Sequence, residues 1–123
     1  MENIREKMIQ AIRLAQTERR WRSGSAARHL LKRKVRGNLR IDATLEDYDR
    51  VIQTALLDPG ARVYAYWYQG TPYATVVSAS DDDLWLVMLD LDGWMESAYV
   101  VSRPERYFNK SEFEFFGLLG ELQ

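Results

Sequence analysis

The sequence predicts an α+β fold: N-terminal helices, then a four-stranded antiparallel β-meander, then a short C-terminal helix. Before Pro59 apolar residues recur at helical spacing, whereas after it come short runs rich in aromatic and β-branched residues. The connections between those runs are too short for parallel crossovers, so the strands must run antiparallel. Helices first and strands afterwards place the helices on one face of the sheet. At 123 residues one domain with one core is expected, with a helical extension over 1–22 and a core over 25–120.

Ile4, Met8, Ile12 and Ala15, with Ala11 and Leu14 beside them, form an i, i+4, i+8 stripe that predicts a helix over 3–20. Ser23-Gly24-Ser25 interrupts it, and Ser25 is the expected N-cap of a second helix over 26–35 that stops near Gly37. Thr44-Leu45-Glu46-Asp47 resembles a capping box, Tyr48, Val51, Ile52, Ala55 and Leu56 continue it as a stripe, and Asp58-Pro59-Gly60 ends it. Strands follow over 62–68, 73–79, 84–90 and 94–101, separated by turn residues such as Gln69-Gly70-Thr71-Pro72 and Leu91-Asp92-Gly93. Ser111-Glu112-Phe113-Glu114 repeats the capping pattern and predicts a helix over 112–119.

The charges are segregated. Residues 1–18 sum to zero, 19–40 to +9 with no Asp or Glu, and 41–123 to −10, which the overall −1 conceals. The basic stretch also holds the single histidine, His29. With no Cys there is no disulfide and no thiolate zinc site, and one His excludes a His-rich metal centre. Asp81-Asp82-Asp83 and Asp90-Leu91-Asp92-Gly93 lack the spacing of a calcium loop and read as polar turns. No cofactor or metal is expected. The charged N-terminus lacks a signal peptide's apolar core, and no apolar run approaches the roughly 20 residues that span a bilayer. The expected compartment is cytoplasmic, although a toxin domain cut from a larger secreted chain would read the same way.

A positive field beside one group that titrates near neutrality suits the binding and cleavage of a phosphodiester. Metal-independent RNA cleavage needs a base for the ribose 2′-hydroxyl and an acid for the leaving 5′-oxygen, and His29 can serve either half. The cations around it would favour its neutral form. Arg28, Lys32 and Arg36 share one helix face at i, i+4, i+8, and with Arg33 and Lys34 they are candidates to ground a phosphate backbone. Ser97 and Tyr99 share one face of the last strand, where a hydroxyl can bond a phosphate oxygen and a ring can stack on a base. Arg103 and Arg106 flank Pro104 just beyond and are candidates for stabilising a pentacovalent transition state. Tyr64, Tyr66 and Tyr68 form a row that reads as a half-buried sheet face before it reads as a stacking platform.

Three local patterns resemble the barnase/EndoU/colicin/RelE-like nuclease superfamily, in its small phage- and toxin-associated branch. They are His29 in Arg28-His29-Leu30-Leu31-Lys32, the helix opening Thr44-Leu45-Glu46-Asp47-Tyr48 with Asp58-Pro59 after it, and the hairpin from Trp85-Leu86-Val87-Met88 to Gly93-Trp94-Met95-Glu96-Ser97-Ala98-Tyr99. The resemblance covers about residues 25–120 and implies a metal-independent endoribonuclease, toxin-like in character. It implies His29 as acid/base, Arg28, Lys32 and Arg103 as phosphate contacts and Ser97 as a polar assistant. It also implies RNA, transfer RNA included, as substrate, an acidic immunity or antitoxin protein as partner, and no membrane. Two other readings keep the same fold: a non-catalytic interaction protein that uses its acidic sheet surface, and a nucleic-acid-binding module without chemistry. Ion pairs quenching Arg28 and Lys32 would mark the first, and binding that survives loss of His29 the second.

Overall fold

Three helices form before the sheet begins, each bounded by chemistry local to it. The structure is a computed structural model that describes residues 3–123. Helix α1 (Ile4–Thr17) starts at Asn3, whose side chain accepts from the Arg5 amide at 2.8 Å, and it buries Met8, Ala11, Ile12 and Ala15. Helix α2 (Ser25–Val35) departs from expectation at its start. Gly24, not Ser25, is the N-cap, with φ of 75°, and the buried Ser25 is the first helical residue. Only glycine adopts that left-handed backbone without strain, so the turn out of the preceding loop is made there. Helix α3 (Leu45–Leu56) opens on a capping box as expected. The Thr44 hydroxyl accepts from the Asp47 amide at 3.1 Å, and the Asp47 carboxylate accepts from the Thr44 amide at 2.9 Å.

Strands β1 (Arg62–Tyr68), β2 (Thr71–Ser80), β3 (Asp83–Leu89) and β4 (Met95–Val100) form the antiparallel meander. A four-residue helix α4 (Pro104–Tyr107) follows, and then the chain departs from expectation again. The stretch read as a helix over 112–119 is strand β5 (Phe113–Leu118), and only Leu119–Leu122 turns as helix α5. The sheet therefore has five strands, not four, in the order β4-β3-β2-β1-β5. Strand β5 pairs antiparallel with β1, which would otherwise present an open edge. Phe113 packs 4.8 Å from the Tyr66 ring and 5.9 Å from that of Tyr64, so cross-strand aromatic packing overrides the local capping pattern.

The two sheet faces are covered differently. Val63, Ala65, Val76, Val87 and Ala98 face α1 and α3 and share one core with Met8, Ile12, Ile52 and Leu56. Helix α1 is thus built into the main core. On the opposite face Tyr64, Val77, Leu86 and Val101 are covered by Tyr107, Phe108 and Phe113. Within the tyrosine row, Tyr64 is buried and stacks on Phe108 at 4.9 Å, while Tyr68 is exposed.

Candidate functional site

The site forms where α2 crosses the free edge of β4. That edge is closed by three contacts from earlier in the chain. The Met95 amide donates to the Arg20 carbonyl at 2.8 Å, the Tyr48 hydroxyl to the Ala98 carbonyl at 2.6 Å, and the Val100 amide to Asn38 Oδ1 at 3.2 Å. Burial pushes the Tyr48 hydroxyl well above its ordinary pKa, so it stays protonated as the donor. Between α2 and β4 lies a cavity of about 700 Å³ whose walls include His29, Lys32, Arg33, Arg36, Ser97 and Tyr99. Among the described residues no Asp or Glu lines it.

His29 lines this cavity and is partly buried. Its Nδ1 lies 3.4 Å from Ser97 Oγ, and its ring packs 5.1 Å from Trp21, which in turn lies 5.9 Å from Tyr48. Trp21 thereby fixes the imidazole plane from the loop before α2. The pKa of His29 is lowered from the ordinary histidine value, first by burial and then by Lys32, Arg33 and Arg28. With no carboxylate beside it, the ring is held neutral at pH 7.

Arg33 is the cation of α2 that the fold buries. Helix α2 turns Leu31 and Val35 outward, 62% and 79% exposed, and buries Arg33 at 8%. One guanidinium nitrogen donates to Asn38 Oδ1 at 2.9 Å, the group lies 5.5 Å over the Tyr99 ring, and Nε is buried without a partner. No carboxylate pairs with it among the described residues. Burial lowers its pKa from the ordinary arginine value, and Arg36 adds to that. A buried cation without a carboxylate partner is costly, and an anion bound against it would offset that cost. Tyr99 is held above its ordinary pKa, first by burial and then by the hydrogen bond between its hydroxyl and that of Tyr107.

No family model, curated protein or solved structure matches the chain. The site therefore rests on its own geometry. The structure brings His29, Lys32, Arg33, Arg36, Ser97 and Tyr99 to one cavity, and it leaves Arg28 and Lys34 off its walls. Arg28 folds back toward Gly24, where a Cβ would meet its Nη1 at 3.3 Å. Arg103 and Arg106 line a neighbouring cavity of about 420 Å³ that shares Arg36 and Tyr99 with the first.

The basic stretch divides in two. Arg19 clasps Asp49 through two hydrogen bonds of 2.8 and 2.9 Å, Arg22 pairs with Asp90 at 3.3 Å, and Arg40 with Asp42 at 3.4 Å. Arg20 and Arg22 bracket Trp94, at 4.6 and 4.9 Å from its ring. Arg19, Arg20 and Arg22 tether the chain before α2, whereas the exposed Arg40–Asp42 pair is local. Those on α2 itself, Arg28 and Lys32 included, have no ion pair among the described residues. Asp90 serves the β3–β4 turn, its Oδ1 accepting from the Asp92 and Trp94 amides at 2.9 Å each. Among the described residues, no three His, Cys, Asp or Glu side chains gather as a metal site, and no helix is long and apolar enough to cross a membrane.

Sequence reasoning missed Trp21, Tyr48 and Asn38 as parts of the site. Trp21, a large aromatic inside a polar, basic loop, carried a signal, since a chain rarely leaves such a ring unpacked. Asn38 carried none.

Proposed function

We propose that the protein is a metal-independent endoribonuclease that cleaves by transesterification in the cavity between α2 and β4. The observation that carries this is the single histidine, its pKa lowered by burial and nearby cations, in a cavity that also presents Lys32, Arg33 and Arg36 and, among the described residues, no carboxylate. Such a cavity attracts a phosphodiester and offers it a base in the correct protonation state. In the tautomer whose Nδ1–H faces Ser97 Oγ, 3.4 Å away, the Nε2 lone pair of His29 is free to take the 2′-hydroxyl proton. The 2′-oxygen bonds to phosphorus, the bond to the 5′-oxygen breaks, and the Lys32 ammonium protonates the departing oxygen. The Arg33 guanidinium meets the charge that builds on the phosphoryl oxygens, already positioned by Asn38. Burial limits its freedom, so little reorganisation is needed.

The test is incubation of the purified protein with total RNA and with transfer RNA in EDTA, beside His29→Ala. Cleavage to 2′,3′-cyclic phosphate ends, with a loss of about 10²–10⁴ in rate for His29→Ala, is the expected result. Intact RNA, or a fully active His29→Ala, would overturn the reading. An acidic protein that inserts a carboxylate against Arg33 is the inhibitor such a cavity would accept.

A further inference from the structure

The second basic cavity has no part in the chemistry just described. It shares Arg36, Tyr99, Val100 and Ser102 with the first, so the two are adjoining compartments of one groove along the end of β4. Its other walls include Arg103, Arg106 and Lys110, and among the described residues no Asp or Glu lines it. The acidic part of the chain, 41–123, has five cations, and three of them fall in 103–110. The fold thus carries the scarce cations of its acidic half to the flank of the basic helix from its other half. No ion pair among the described residues engages Arg103 or Arg106, while Lys110 lies 4.7 Å from the Tyr107 ring. Solubility alone gives no reason for cations from opposite ends of the chain to meet on two adjoining cavities.

We propose that the second cavity holds the phosphate next to the scissile one, so that the ligand is a single-stranded RNA segment with at least two consecutive phosphodiesters. This rests on the ribonuclease reading for the first cavity and adds a length requirement to it. Arg36 and Tyr99, common to both compartments, lie under the nucleoside that joins the two phosphates. A free mononucleotide or a dinucleoside monophosphate fills one compartment only. Arg103 and Arg106 then act on the neighbouring phosphate and not on the reacting one.

The experiment measures dissociation constants by NMR titration of 2′-O-methyl RNA with one and with two phosphodiesters, which binds without being cut. The second phosphodiester should tighten binding about 10–100-fold, the range for a charge-assisted contact set. Arg103→Ala/Arg106→Ala should lose that step, and Arg5→Ala/Arg13→Ala, which removes the same charge from the exposed face of α1, should keep it. A wild-type protein without the step, a step that persists in Arg103→Ala/Arg106→Ala, or one lost equally in the α1 control would overturn the proposal. Matching RNAs with free 2′-hydroxyls separate the two ideas. If they stay intact while the step is present, the ribonuclease reading falls and the second phosphate site stands.

Discussion

His29 combines a side chain that ordinarily titrates near neutrality with surroundings that all push it toward the neutral form. If it is the base, kcat/KM should rise with pH through a value below the ordinary histidine pKa of about 6.5 and then level off. Lys32→Gln removes both the proposed acid and a charge beside the ring, so it should lower kcat and also move that limb upward. A limb shift with kcat unchanged would leave Lys32 an electrostatic neighbour only. The same depression has a consequence for stability. Because the unfolded chain binds a proton more readily than the folded one, stability is unaffected above the unfolded pKa and falls as pH drops below it toward the folded value. Chemical denaturation from pH 7 to 5 should show this decline, and His29→Ala should remove its own share. If His29 is the base, Trp21, packed 5.1 Å from its ring, is a positioning residue. Trp21→Leu should lower kcat far more than it raises KM and leave the pH limb in place. A change in KM alone would argue against that role.

At the scale of elements, α3 shows how far local chemistry reaches. Its capping box, its stripe and its stop at Asp58-Pro59-Gly60 were all legible, because the interactions that define them lie within four residues of one another. Thr44→Ala should cost about 1 kcal/mol in denaturant unfolding, the usual worth of such a cap. A loss below a few tenths would show that the box is not formed in solution. Strand β5 shows the opposite. Ser111 to Glu114 carries a helix-start pattern, yet the segment pairs with β1, because that edge and the Tyr64 and Tyr66 rings attract it from some fifty residues away. The alternation Glu112-Phe113-Glu114-Phe115 carried a strand signal that competes with the capping pattern, but nothing within 111–118 names β1 as the partner. For the site the division is similar. That His29, Lys32 and Arg36 share a cavity follows from charge and helix spacing, and that Ser97 and Tyr99 share it follows from strand parity, whereas Arg28 and Lys34, candidates by charge alone, lie off its walls. The roles of Tyr48 and Asn38 on the β4 edge depend on contacts that only the folded chain makes.

Across the whole molecule, the positive stretch is partly mortar and partly surface. Arg19, Arg20 and Arg22 lock the loop after α1 onto α3 and the β3–β4 turn, while Lys32 and Arg36 remain open to a ligand. RNA binding should therefore weaken steeply with salt, but with unequal contributions. Lys32→Ala should reduce the slope of log K against log salt by about 0.7, one single-strand phosphate contact. Arg22→Ala should leave the slope unchanged, since its charge is already answered by Asp90. Equal effects would mean that the net charge of the stretch, not its division, governs binding.

The buried Arg33 bears on what this sequence could become. Selection for folding alone would replace it with an apolar side chain of similar length, since an unanswered interior charge is a standing cost. Arg33→Met should accordingly raise the melting temperature in buffers free of anions. The native protein should recover that difference when inorganic phosphate is added, and the variant should not respond. A variant that melts no higher, or one still stabilised by phosphate, would remove Arg33 from this trade. If both outcomes hold, drift toward greater robustness and retention of the activity pull this one position in opposite directions.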